Sequence, residues 1–157
     1  EEIKKKSINW VDFKNESKLR GLLNSLEIET PAVFGKMNGQ QMVEHLALLL
    51  KVSNGKIDAD FFVEEEKSSR RKAFLDTDNE LQVGFKASML SEEPVPAKFS
   101  TLKDSIEDLI LQIESFETHF KTNATENHPF FGELDYQYWC KFHVKHFTHH
   151  FKQFNLV

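Results

Sequence analysis

With one cysteine, Cys140, the chain cannot contain an internal disulfide framework, and nothing in its cysteine usage argues against a reducing cytoplasm, the expected compartment. Cys140 itself reads as a small buried apolar residue, the usual role of a free cysteine. Long apolar runs are missing as well. No stretch approaches the ~20 residues that a membrane-spanning helix needs, and the opening EEIKKKSINW does not read as a signal peptide, so no membrane association is expected. The sequence begins with Glu1 rather than Met, and is therefore read as a trimmed chain or part of a longer one. An excess of positive charge is also absent. The net charge is −5 with both signs interspersed, which leaves no electrostatic footprint for nucleic acid. What remains is 157 residues with 39% apolar and 29% charged content, the balance of an ordinary globule, expected as a single domain over 1–157.

The apolar residues recur with helical period in four places. Leu19, Leu22, Leu23 and Leu26 predict a first helix over about Asn9 to Leu26. A second starts at Asn38, where Gln41 three residues on completes a capping box, and stops at Asn54-Gly55. Its apolar face carries Met42, Leu46, Leu49 and Val52, with His45 in the middle. The third, from Thr101 to about Lys121, has the cleanest stripe: Leu102, Ile106, Leu109, Ile110, Ile113, Phe116 and Phe120. Asp135 caps the fourth, which runs to Phe154. Between the second and third helices, 56–99 loses this pattern. Its charge runs allow one short exposed helix, and Pro94 and Pro96 impose an extended stretch, so the segment is expected to be a lid or binding loop. Arg70 and Arg71 read as a solvated face. Residues 122–134 are expected as a connection, with Phe130 and Phe131 anchoring it and His128 structural or exposed. Four amphipathic helices with apolar stripes pack most economically as an all-α four-helix bundle.

Four of the seven histidines crowd into the last helix. His143, His146 and His150 fall within about 60° of one another on a face shared with Trp139 and Phe147. Lys141, Lys145, Thr148 and Lys152 mark the opposite face, expected to be solvated. Buried imidazoles need partners, and a divalent metal satisfies several at once. His146 and His150, four residues apart, can share one ion, and His45 from the second helix is the candidate third ligand. His119, at the edge of its helix, is expected at the surface. Three neutral imidazoles leave a metal an open position, the mark of a catalytic site. Glu44 adjoins His45 but points about 100° away, a poor general base. His143 is the better candidate for a catalytic proton carrier, its alternative being a packing histidine. Gln41 and Gln153, one turn from ligands, are candidates to orient a substrate.

Three stretches together carry a family likeness: FGKMNGQQMVEHL at Phe34 to Leu46, HPFFGEL at His128 to Leu134, and KHFTHHFKQF at Lys145 to Phe154. Over nearly its whole length the chain resembles the DinB-like superfamily, and most closely an uncharacterised branch of it. The resemblance implies an up-down-down-up four-helix bundle holding a divalent metal, zinc or nickel, on His45, His146 and His150, with the family's following glutamine at Gln153. His149 matches a neighbour that is not a ligand. Relatives of this kind include thiol-dependent isomerases and S-transferases. The implied activity is that of a metal-dependent enzyme activating a thiol or water on a small-molecule substrate, of S-transferase/isomerase or hydrolase type, with a low-molecular-weight thiol as a second cofactor. A homodimer is compatible with it. Two departures set this chain apart: Phe151-Lys152 replaces the usual Arg-Gly before the glutamine, and the 56–99 excursion is long. The alternative is a non-catalytic metal-binding or partner-binding helical module.

Overall fold

Asn15 decides where the first helix begins. In the computed structural model, which describes residues 8–59, 65–83 and 94–157, its side chain accepts from the Lys18 N–H at 3.1 Å and α1 runs Glu16–Leu23. The expected span of Asn9 to Leu26 is therefore too long at both ends. A side-chain cap satisfies an orphan amide of the first turn, and that local signal overrides the looser apolar pattern upstream. Val11 and Phe13 are buried nonetheless, from non-helical chain preceding α1.

The second helix follows its sequence signals closely. α2 spans Gly39–Ser53, with Asn38 and Gln41 exchanging both bonds of the capping box, and the chain leaves it through Gly55 at φ 80°. Among its described residues the 56–99 excursion holds one short helix, α3 (Glu65–Lys72), which continues into a 3-10 turn at Ala73–Asp76. Residues 60–64 and 84–93 of it lie outside the described residues. Arg71 does not simply point to solvent, since its guanidinium lies 4.1 Å from the centre of the Phe130 ring. α4 spans Leu102–His119 behind a Thr101 cap, and α5 spans Tyr136–Gln153 behind an Asp135 cap.

The expected connection at 122–134 is instead a β-hairpin. β1 (Thr125–His128) pairs antiparallel with β2 (Gly132–Asp135), from Thr125 opposite Asp135 to His128 opposite Gly132. The protein is thus mostly helical with a small two-stranded sheet, not wholly α. The hairpin turns through Gly132 at φ 78°, where an added Cβ would also lie 2.6 Å from Ser68 Oγ on α3, so glycine is required twice over. His128 closes the turn from inside. It is fully buried, and its Nδ1 accepts from the N–H groups of Phe130 (2.9 Å) and Phe131 (3.2 Å). The Trp139 indole then ties the hairpin to α5 by donating to the Glu126 carbonyl at 3.0 Å. His128→Phe leaves two amides without their acceptor, and is expected to cost about 2–4 kcal/mol in urea denaturation. A loss under about 1 kcal/mol would mean that the ring only fills space.

The core is unusually aromatic, with Phe13, Phe116, Phe131, Phe142, Phe147, Phe151 and Trp139 fully buried around α5. α5 is enclosed on more sides than expected. Lys145 is 4% exposed and Thr148 is fully buried, so the middle of the face assigned to solvent is covered, while Lys141 stays exposed. Thr148 Oγ1 accepts from the Val11 N–H at 2.9 Å. The Lys145 ammonium donates to the carbonyls of Thr77 and Asn79 and lies beside the rings of Trp10 and Phe74. Asp76 receives Tyr138 and Lys141, and Glu80 receives Lys152. Residues 76–81 thereby run along α5, using its lysines as ties. A long aliphatic stem with a charged tip suits such a partly buried tie as well as a wet face, so residue type alone did not distinguish the two. Among the described residues no helix is long and apolar enough to cross a membrane.

Candidate metal centre

His45, near the middle of α2, meets His146 and His150, one turn apart on α5. The Nε2 atoms of His45 and His146 are 3.0 Å apart, and one nitrogen from each of the three rings falls within 4.8 Å of the others. Ring centres form a nearly equilateral triangle of 4.8, 4.7 and 4.7 Å, each pair edge-on. His146 and His150 are buried, and His45 is partly buried. Burial pushes the His45 pKa down to about 4, assisted by nearby His149, and holds His146 and His150 well below the ordinary histidine value. All three are therefore neutral at pH 7, the form that has a lone pair to give.

Hydrogen bonds fix the tautomer at one corner. Gln153 Nε2 donates to the Phe34 carbonyl at 2.8 Å, which can only accept, so the amide oxygen faces the other way. His150 Nδ1–H donates to that oxygen at 2.7 Å, leaving Nε2 unprotonated for the centre of the triangle. The close approach requires Gly35. At its φ of 78° an added Cβ would lie 2.6 Å from Gln153 Nε2. Nothing in the sequence announces that role except the Gly punctuation of the 27–36 loop.

The remaining candidates are placed elsewhere. His143, expected as a proton carrier, is outside the triangle. Ser53 Oγ donates to the Leu50 carbonyl at 2.9 Å, so it accepts from His143 Nε2–H at 2.9 Å, and the buried Nδ1 has no hydrogen-bond partner. Phe13, Phe116 and Trp139 surround the ring, and burial pushes its pKa down to about 3. This is the environment of a packing histidine. Gln41 and Gln153, expected to orient a substrate, are engaged by the protein itself. Gln41 accepts from the Asn38 N–H and donates to the Val95 carbonyl, while Gln153 orients His150. The capping box that located α2 thus also consumed Gln41.

Glu44 is not free to act as a base. Its carboxylate accepts from the Lys98 N–H at 2.6 Å, Ser105 Oγ at 2.9 Å and Gln40 Nε2 at 3.0 Å, mooring residues 98–99 to α2 and α4. His149 lies beside the triangle with Nδ1 3.2 Å from the Leu81 carbonyl and its ring 5.1 Å from Phe34. His119 pairs with Glu126 at 2.7 Å, half-buried rather than on the surface. Cys140 is half-buried, with burial raising its thiol pKa, which disfavours a reactive thiolate.

Fold and site define a mostly helical protein in which two helices bring three neutral histidines together. The family model described as "Protein of unknown function (DUF1569)" matches residues 6–156, and the chain belongs to that family. Comparison with curated proteins and with solved structures gives no match.

Proposed function

We propose that the protein is a divalent-metal-dependent enzyme of the DinB-like kind, with α1, α2, α4 and α5 as the four helices of its bundle. The observation that carries the reading is the convergence of His45, His146 and His150, neutral and with the His150 tautomer set by Gln153. The donor set fits a zinc-type ion. Imidazole nitrogens at about 2.0–2.1 Å in a tetrahedral arrangement sit about 3.3 Å apart, so the 3.0 Å approach of His45 and His146 needs little adjustment. Three protein ligands leave a position for a substrate, and an ion held there supplies the Lewis acidity that makes water or a thiol a nucleophile at neutral pH.

The residues around the cluster favour thiol chemistry over hydrolysis. A hydrolytic site wants a general base near the water, and the neighbouring carboxylate of Glu44 is already taken by Lys98, Phe99, Ser105 and Gln40. A thiol bound as thiolate needs no such base during attack, which supports an S-transferase or isomerase acting on a small molecule, with a low-molecular-weight thiol as cosubstrate. The role of His143 in this reading is to hold α2 and α5 together through Ser53 rather than to move protons.

Elemental analysis of untagged protein purified without chelator tests the proposal. About one equivalent of zinc or nickel per chain is expected. A chain purified without metal, and unable to take it up, would return the histidines to core packing. Unfolding on chelation, or a fourth protein ligand, would make the metal structural and favour the non-catalytic module.

A further inference from the structure

Three buried side-chain atoms among the described residues have no hydrogen-bond partner, and each is a histidine nitrogen: His128 Nε2, His143 Nδ1 and His146 Nδ1. A buried polar atom without a partner is costly, so what each could bond decides its use. The opposite nitrogen settles two of them. His128 Nδ1 accepts from two amides, so its proton is on Nε2 and the atom left over is a donor. His143 donates Nε2–H to Ser53, so its Nδ1 is a bare lone pair.

His146 has a choice. Its Nε2 is 3.0 Å from that of His45, where two bare lone pairs repel, so one of the two rings carries a proton there. A proton on His146 Nδ1 has no direct acceptor, whereas one on Nε2 meets His45 at once. His45 can keep its own proton on Nδ1, which is not among the buried unpartnered atoms. In the metal-free protein His146 therefore donates Nε2–H to His45. An ion held by both rings needs both Nε2 lone pairs, which sends the His146 proton to Nδ1. Of the three unpartnered atoms the acceptor left for it is His143 Nδ1, one turn earlier on α5 and about 60° around it. Both rings pack on Phe142, with centres 5.5 and 5.0 Å from its own, and they are close enough to interact electrostatically.

We infer that metal entry moves the proton of His146 from Nε2 to Nδ1, and that His143 is the positioning residue that receives it, its Nδ1 accepting from His146 Nδ1–H through buried water. The ring stays neutral, because one N–H bond is exchanged for another by way of water. A bond of this kind to a ligand's second nitrogen orients the ring and raises its basicity. Ser53 engages only Nε2 of His143, so the packing role and this one use different atoms. The inference rests on the metal reading proposed above and adds the support of its second ligand.

Long-range 1H–15N spectra of the full chain, recorded metal-free and zinc-loaded, test the tautomer, since protonated and bare ring nitrogens resonate far apart. His146 is expected to carry its proton on Nε2 without zinc and on Nδ1 with it. Zinc affinities of two variants test His143. Leu and Asn have nearly the same shape and both give up the Nε2 bond to Ser53, but only Asn keeps an acceptor at the δ position. His143→Leu is expected to bind zinc about 10–100-fold more weakly, and His143→Asn to recover most of that loss. A proton on His146 Nδ1 in both states, or equal affinities of the Leu and Asn variants, overturns the inference and leaves the metal centre standing. Failure of the original chain to take up zinc overturns the metal reading itself.

Discussion

His146→Ala is expected to abolish stoichiometric zinc or nickel binding, as are His45→Ala and His150→Ala, whereas His119→Ala retains it. His146 is central to the cluster, with its Nε2 3.0 Å from that of His45 and its ring 4.7 Å from that of His150. Removing one of three ligands leaves a two-point site that also holds a loosened ion less specifically. Gln153→Leu is a milder lesion, because it frees the His150 tautomer without removing a ligand, and is expected to weaken binding by about 10–100-fold. His119 is paired with Glu126 and takes no part. Metal content by elemental analysis, with circular dichroism to show that each variant remains helical, reads all five proteins. Full metal retention in the three alanine variants would dismiss the assignment.

Stability is expected to fall steeply as pH drops from 7 toward 5. Burial holds His143 at about 3 and His45 at about 4, with His128, His146 and His150 also well below the ordinary value near 6.5. Below pH 6.5 the unfolded chain binds protons that the folded chain refuses. Stability therefore rises with pH across the window between the folded and unfolded values, is fully present above about 6.5, and is lost as the pH falls toward the folded values. Each such histidine contributes about 1.4 kcal/mol per pH unit once well inside the window. Several such histidines in one domain make the combined dependence steep against a total stability of only about 5–15 kcal/mol. Urea denaturation of metal-free protein at intervals from pH 7.5 to 5 measures the slope directly. His143→Phe is expected to reduce it by about one histidine's share, and a flat profile would show that the buried rings are protonated or reach water.

The nearness of the three histidines was readable from spacing. His146 and His150 at i and i+4, and His45 in the centre of an apolar stripe, could only meet inside a helical core, because helical period determines which side chains share a face. The caps at Asn38 and Asp135 were equally legible, since each is settled by atoms within three residues of the helix start. The long expected span of the first helix failed for the same local reason, the Asn15 cap having been overlooked. The hairpin at 125–135 was missed because four-residue strands carry too little alternation to be recognised, and its evidence lies in a turn glycine packed against Ser68, far away in sequence.

Sequence by itself determined the caps and boundaries of most helices, the inward face of α5 and the pair of histidines on it. These are consequences of backbone period and nearest-neighbour hydrogen bonding. Tertiary structure alone decided what each polar group is used for. Gln153 turns toward His150 because Phe34 claims its amide nitrogen, His143 is spent on Ser53, Lys145 is drawn under residues 77–79, and Glu44 is consumed by Lys98 and Ser105. A side chain's type lists the bonds it can make, but burial forces it to choose partners, and those partners come from parts of the chain that no local pattern connects.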